Sequence, residues 1–158
     1  IPGDGYDRQP QIYEGQIMKR EDLISHIKKV LTDRNIPTDI KSCQFKINPL
    51  EMNNIKGVYI IRNKKTDMIV NVGKSDVNIN ARIKVHWNKA TGKWKGKDST
   101  GGWNYLLENY EYDVNDLEFL YVELPLHRKR TSVEAILIDD LEPVANDETF
   151  NDRFMEDK

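Results

Sequence analysis

The residues "GVYIIRNKKTDMIVNVGK" (57–74) decide the fold of this chain. Two runs rich in β-branched and aromatic residues stand on either side of a polar connector, Asn63 to Asp67. Such runs around a short polar turn are typical of an antiparallel β-hairpin. We therefore expect a hairpin here, and a sheet that is built outward from it.

Upstream of the hairpin, apolar residues recur with the spacing of a helix. They predict an amphipathic helix of about 13 residues that ends near Asn35. Its apolar stripe consists of Leu23, Ile24, Ile27, Val30 and Leu31. The polar residues 1–15 are predicted to form a loose arm, and residues 37–54 an irregular segment.

Downstream, residues 77–87 alternate between apolar and polar at every step, which favours a strand. A helix also fits, because every fourth residue from Ile79 is apolar. The two alternatives agree on one point: Arg82 and His86 lie on the same side of the segment in either case.

The last third of the chain predicts one further strand and two helices. A glycine-rich exposed loop covers 89–102, and a short helix follows at 103–110. The run "LEFLYVEL" (117–124) predicts a third strand, and residues 132–141 predict a final helix. These predicted strands and helices indicate the α+β class, with a helical extension at the N-terminus.

Composition suits one compact domain. The chain has 158 residues, of which 38% are apolar, and its net charge is only -2. The charge is unevenly distributed: residues 74–97 carry seven basic side chains against one acid, whereas residues 134–158 carry nine acids against two basic ones. This asymmetry indicates a basic surface for a polyanion and an acidic tail, with a solvated lysine face as the alternative.

Several classes of protein are excluded by simple absences. Cys43 is the only cysteine, so no internal disulfide and no multi-cysteine zinc site can form. No apolar stretch approaches the roughly 20 residues that a membrane-spanning helix needs. We expect a cytoplasmic protein that makes no contact with a membrane.

The predicted turn "NVGKS" (71–75) resembles the end of a phosphate-binding loop, because it places glycine, lysine and serine in succession. A nucleotide-binding P-loop needs another glycine five residues before Gly73, where Met68 stands. A different set of motifs accounts for the turn, in the order "GVY" (57–59), "NVGK" (71–74), Arg82, Glu134, Pro143 and Asn146.

These motifs resemble the GIY-YIG nuclease family over residues 55–147. The most specific features are an arginine nine residues after Gly73, and a glutamate followed by proline at +9 and asparagine at +12. The pair Arg82 and His86 looks most like the restriction-endonuclease branch, in which histidine can replace a tyrosine. The resemblance implies a small three-stranded antiparallel sheet flanked by helices. It also implies hydrolysis of DNA phosphodiester bonds supported by one divalent cation, Mg²⁺ or Mn²⁺.

The resemblance also implies roles for charged residues. Glu134 is the expected metal ligand, because Mg²⁺ prefers hard oxygen donors and needs only one or two carboxylates. Alternatively, Glu134 closes a capping box with Thr131. Arg82 is the expected clamp on the phosphate, since a guanidinium holds two oxygens at once. Lys74 offers a second positive contact, or is simply solvated.

Tyr59 matches the first tyrosine of the family, and with His86 it is expected to position and deprotonate the attacking water. The alternative for Tyr59 is an ordinary core aromatic. Asn71 is a departure, because the family usually has a tyrosine there, and an amide cannot accept a proton. Asn146 matches the terminal asparagine and is expected to orient a phosphate or another site residue.

A nucleic-acid-binding surface is expected around the tryptophans and lysines that follow Arg82. Aromatic rings among cations provide both stacking and charge, although at least one of Trp87, Trp94 and Trp103 is expected in the core. The predicted contacts are Lys84, Lys89, Lys93, Trp94, Lys95, Lys97, Arg128 and Arg130.

Three segments are expected: an arm and accessory helix at 1–54, a nuclease domain at 55–150 and an acidic tail at 151–158. The predicted function is a metal-dependent DNA endonuclease, restriction-like or from a phage or mobile element, with a homodimer as one way to cut both strands. The alternative is a catalytically impaired nucleic-acid-binding module with the same fold. A purely structural role would predict no salt-sensitive DNA binding.

Overall fold

The computed structural model describes residues 17–37, 39–45, 54–94 and 101–146. The fold is α+β, as predicted. In chain order its elements are α1 (Arg20–Thr32), β1 (Lys41–Gln44), β2 (Gly57–Asn63), β3 (Ile69–Ser75), α2 (Ile79–Ala90), α3 (Gly101–Asn109), a 3₁₀ turn (Val114–Asp116), β4 (Leu117–Glu123) and α4 (His127–Leu141). Within the described ranges, no helix is long and apolar enough to cross a membrane.

The sheet is antiparallel and has the strand order β1-β4-β2-β3. The β2–β3 hairpin is confirmed, with Tyr59 opposite Gly73. The expectation of three strands is wrong, because β1 adds a fourth beside β4. This strand lies in the segment expected to be irregular. It has only four residues, "KSCQ", which is too short for an alternating pattern to show.

Helices cover both faces of the sheet. Every residue of β2 is buried, which explains its continuous apolar run. Val58 and Ile60 pack in one core with apolar residues of α1 and α4, whereas Tyr59 and Ile61 pack in a second core with residues of α2 and α3. Successive β2 side chains therefore serve opposite cores.

The described part of the N-terminal segment is integral to this architecture. The predicted helix is confirmed as α1, and Leu23, Ile27 and Leu31 are completely buried. Since β1 also joins the sheet, residues 17–37 and 39–45 pack as part of the same unit as the hairpin. The predicted arm (1–15) and acidic tail (151–158) lie outside the described residues.

Residues 77–87, for which strand and helix were both open, belong largely to α2. The side chain of Asn78 accepts a hydrogen bond from the Ala81 backbone N–H at 2.7 Å and caps the helix. Ile79 and Ile83 are buried, and Arg82 and His86 share another side, as expected. The cap and the four-residue apolar spacing outweigh the alternation.

The final helix, α4, starts at His127 rather than at Ser132. Thr131 is consequently an exposed residue inside the helix, so the expected capping box with Glu134 is wrong. The first turn is held instead by Arg130, whose Nη1 donates to the carbonyls of Leu124 and Pro125 at 2.8 and 2.7 Å.

Candidate active site

A cavity of about 140 Å³ lies beside β3 and is lined from several elements: β2, β3, α2, α3, α4 and the segment that follows α4. The seven residues predicted as catalytic or supporting all line it. They are Tyr59, Asn71, Lys74, Arg82, His86, Glu134 and Asn146.

Tyr59 lines this cavity from β2, an inner strand of the sheet, and is 1% exposed. Its ring stacks on Phe119 of β4, with the centroids 5.0 Å apart. On the opposite strand, a Cβ at Gly73 would overlap the Tyr59 hydroxyl. The turn expected at 71–75 is wrong, because these residues belong to β3, and Gly73 leaves room there for the tyrosine ring. Tyr59 is therefore both a core aromatic and part of the cavity wall.

His86 links Tyr59 to a residue on α3. Its Nε2 lies 2.7 Å from the Tyr59 hydroxyl oxygen, and its Nδ1 accepts a hydrogen bond from Trp103 Nε1–H at 3.1 Å. An indole nitrogen can only donate, so Nδ1 carries no proton. In the neutral imidazole the proton is then on Nε2, and His86 donates to Tyr59.

Burial of His86 lowers its pKa well below the ordinary value, and the nearby charges of Arg82 and Lys89 lower it further. The imidazole is therefore neutral at physiological pH. Because both ring nitrogens are engaged by Tyr59 and Trp103, His86 is not placed to take a proton from water. The sequence leaves open which of Tyr59 and His86 accepts the proton of the attacking water, and that assignment stays a prediction.

Lys74 is half-buried and forms an ion pair with Asp76, Nζ to Oδ2, at 2.5 Å. Asp76 also accepts from Arg130 Nε at 2.9 Å and lies 3.2 Å from His127 Nδ1. Lys74 and then Arg130 lower the pKa of Asp76 far below its usual range. This carboxylate ties the end of β3 to the start of α4.

The same contacts correct one predicted nucleic-acid residue. Arg130 is 3% exposed, and Asp76 and two carbonyls occupy its guanidinium. It is thus a structural residue beneath the surface. Its neighbour Arg128 is exposed and remains a predicted contact.

Arg82 and Glu134 are half-buried and line the cavity from α2 and α4. The described residues contain no group of three or more His, Cys, Asp or Glu side chains placed to hold a metal. Glu134 is the acid in the cavity lining. A single carboxylate fits Mg²⁺, which keeps most of its water ligands.

Asn71 adds a second oxygen to this donor set. It is 5% exposed, and its Oδ1 is buried with no hydrogen-bond partner among the described residues. A buried carbonyl without a partner is costly in a folded protein and often marks the place of a water or ion. Glu134 and Asn71 both line the cavity and offer oxygen atoms, the ligand type that a hydrated divalent cation prefers.

Asn146 binds the edge of β3 in the way a neighbouring strand would. Its Oδ1 accepts from Val72 N–H at 2.8 Å, and its Nδ2 donates to Val72 O at 2.7 Å. Next to it, Ala145 N–H donates to Val70 O at 2.7 Å. Asn146 therefore orients the strand that carries Asn71 and Lys74, and its amide is not directed at a phosphate.

The remaining predicted contacts divide by exposure. Lys84 and Lys93 are exposed, whereas Lys89 is buried and its Nζ lies 5.3 Å from the centre of the Trp94 ring. Lys95 and Lys97 lie outside the described residues. Trp103 is 2% exposed and cannot stack on a base. No sequence signal pointed to its bond with His86.

Comparison of the chain with known protein families, curated proteins and solved structures finds no match. The resemblance to GIY-YIG nucleases therefore stays a prediction, and the case for a function depends on the cavity itself.

Proposed function

We propose that this protein is a divalent-metal-dependent DNA endonuclease that hydrolyses phosphodiester bonds. The observation that carries the proposal is the meeting of Tyr59, Arg82 and Glu134 in one cavity, although they lie on β2, α2 and α4. A phenol, a guanidinium and a carboxylate meet the three needs of phosphodiester hydrolysis: an activated water, charge stabilisation and a metal ligand.

Arg82 is proposed to bind the scissile phosphate. Its planar guanidinium can hold two non-bridging oxygens and stabilise the charge that builds up on them in the transition state. Lys74 also lines the cavity and supplies a second positive charge. Its ion pair with Asp76 restricts the lysine side chain, which would otherwise sample many rotamers.

Tyr59 is proposed to take the proton from the attacking water. A free phenol ionises near pH 10, so it serves as a base only where its surroundings favour the phenolate. The Nε2–H of His86, 2.7 Å away, donates to the phenol oxygen and favours that form. His86 is thus proposed to support the base instead of acting as one.

Glu134 is proposed to hold Mg²⁺ or Mn²⁺, with Asn71 Oδ1 accepting from a water of the hydrated ion. The bound cation would supply Lewis-acid stabilisation of the phosphate and of the leaving 3′ oxygen. In this reading, Asn71 replaces a family tyrosine as an acceptor for water. The protein needs only one base, and Tyr59 provides it.

The alternative is a module that binds nucleic acid without cutting it. Asn71 is the feature that favours it, because a tyrosine is usual at that position in the family. In such a module the exposed Lys84, Lys93 and Arg128 would contact the nucleic acid. Glu134 would then have no metal to hold.

Nicking of supercoiled plasmid tests the proposal directly. The wild-type protein should nick plasmid with Mg²⁺ and not with EDTA, and Glu134→Gln should lower the rate at least 100-fold. Glu123→Gln removes an exposed carboxylate at the end of β4 and should leave the rate unchanged. Binding without nicking, on plasmids of varied sequence and with either metal, would decide for the noncatalytic module.

A further inference from the structure

The indole N–H of Trp103 is a buried polar group in the cavity lining that the proposed function does not use. We propose that Trp103 is a positioning residue, which locks His86 in the tautomer that donates Nε2–H to Tyr59. The inference builds on the role proposed for Tyr59. The contacts that set the His86 tautomer lie within the protein, so the tautomer can be measured without substrate.

Hydrogen-bond polarity carries the argument. Trp103 Nε1 can only donate, and it lies 3.1 Å from His86 Nδ1. If the proton moved to Nδ1, two N–H groups would face each other, and Nε2 would become an acceptor toward Tyr59. Protonation of both nitrogens would create the same conflict at Trp103. Only the Nε2–H tautomer satisfies the indole and places a donor on the phenol oxygen.

Burial gives this preference its strength. Trp103, His86 and Tyr59 are 2%, 4% and 1% exposed, so water is a poor substitute for a lost partner. The rings also pack together: the centroids of His86 and Trp103 lie 5.8 Å apart, and those of His86 and Tyr59 lie 5.5 Å apart. The histidine ring is held from both sides and is not free to turn over.

The placement of Trp103 depends on a glycine beside it. A Cβ at Gly102 would overlap the backbone of Ala145, so α3 can approach this segment only because residue 102 has no side chain. Ala145 is itself bonded to Val70 on β3. The first turn of α3 is therefore fixed against the same strand edge that forms one wall of the cavity.

Nitrogen NMR tests the inference on the folded protein. In the wild type, the ¹⁵N shifts of His86 should show a protonated Nε2 and a bare Nδ1. Trp103→Phe keeps an aromatic ring but removes the donor, and it should raise the Nδ1–H fraction at least fivefold. Trp87→Phe is the matched control. Trp87 follows His86 on α2, but its indole packs on Phe45. The control substitution should leave both His86 shifts as in the wild type.

Kinetics provide a second readout. On a cleavable plasmid, Trp103→Phe should lower kcat at least tenfold with KM within twofold of the wild type, because the phosphate-binding groups are untouched. A wild-type His86 with its proton on Nδ1, or unchanged His86 shifts in Trp103→Phe, would overturn the inference. Should Trp103→Phe not fold, the wild-type shifts alone decide. Should the wild type cut no DNA, the nuclease proposal fails while the tautomer measurement still stands on its own.

Discussion

Gly73 and Tyr59 face each other across the β2–β3 ladder, and the tyrosine ring occupies the space where a side chain at residue 73 would stand. Gly73 of the "NVGK" segment thus leaves within β3 the space that the phenol ring fills. A motif that looks like a phosphate loop in the sequence is, in the fold, half of a packing pair.

We expect Gly73→Ala to displace Tyr59. Overpacking of a buried site costs about 1–3 kcal/mol, so the free energy of unfolding should fall by that amount in urea titrations. Combining it with Tyr59→Leu, which removes the hydroxyl and the ring carbons that the new Cβ would overlap, should reduce the cost. Strict additivity of the two changes would contradict the packing described here.

Asn146→Ala should loosen the edge of β3. It removes both hydrogen bonds to Val72, and each buried group left without a partner costs about 1–3 kcal/mol. Amide exchange at Val72 should accelerate more than at Ile60 on the neighbouring strand. Asn146→Asp keeps the acceptor and should protect the Val72 amide better than Ala does; equal exchange in both variants would contradict the assigned orientation.

Asp76 should make stability depend on acid pH. Its pKa in the folded state lies below the value of 3.8 for the free side chain, so its contribution is present above about pH 4 and is lost as the pH falls further. Since the side chain is 42% exposed, solvent screening reduces the effect to about 1 kcal/mol. Asp76→Asn should flatten the dependence below pH 4, whereas Asp33→Asn, at the exposed pair with Lys29, should not.

Asn71→Leu should separate stability from function. The substitution removes a buried carbonyl with no hydrogen-bond partner, so thermal unfolding should show a gain of about 1 kcal/mol. Metal-dependent nicking should decline at the same time, because the acceptor for a metal-bound water is lost. A less stable protein with unchanged nicking would contradict both expectations.

Exposed lysines near α2 should set the salt dependence of DNA binding. Lys84→Gln and Lys93→Gln should each reduce the slope of log K against log salt by about 1, the value for one phosphate contact. Lys64→Gln lies in the β2–β3 turn, at the opposite end of the hairpin from Gly73, and serves as the control. An equal change in all three variants would exclude a localised binding surface.

The elements found from sequence were those with long, regular patterns. α1, the hairpin and β4 each bury a continuous apolar stripe or run, which periodicity detects. β1 has no such pattern, because Lys41 and Ser42 are exposed and Cys43 is only half-buried. The predicted start of α4 is too late in the chain. The first turn is fixed by Arg130, which donates to the carbonyls of Leu124 and Pro125, and no capping motif in the sequence indicates such a contact.

The site residues divide in the same way. Tyr59, Arg82 and Glu134 were found because their types and spacing resemble a known family, and the fold places them around one cavity. Trp103 and Asp76 were missed because their roles depend on partners that are distant in sequence or act through another side chain. Only the folded geometry shows which histidine nitrogen is engaged and which carboxylate pairs with Lys74.

The strand that carries Tyr59 is hydrogen-bonded on both sides and buried along its whole length. A side chain on such a strand cannot be displaced by local fraying, unlike one on a loop that opens early. If Tyr59 has the proposed role, DNA cleavage should be lost on heating only as the sheet melts, and incubation below that temperature should leave the cleavage rate unchanged.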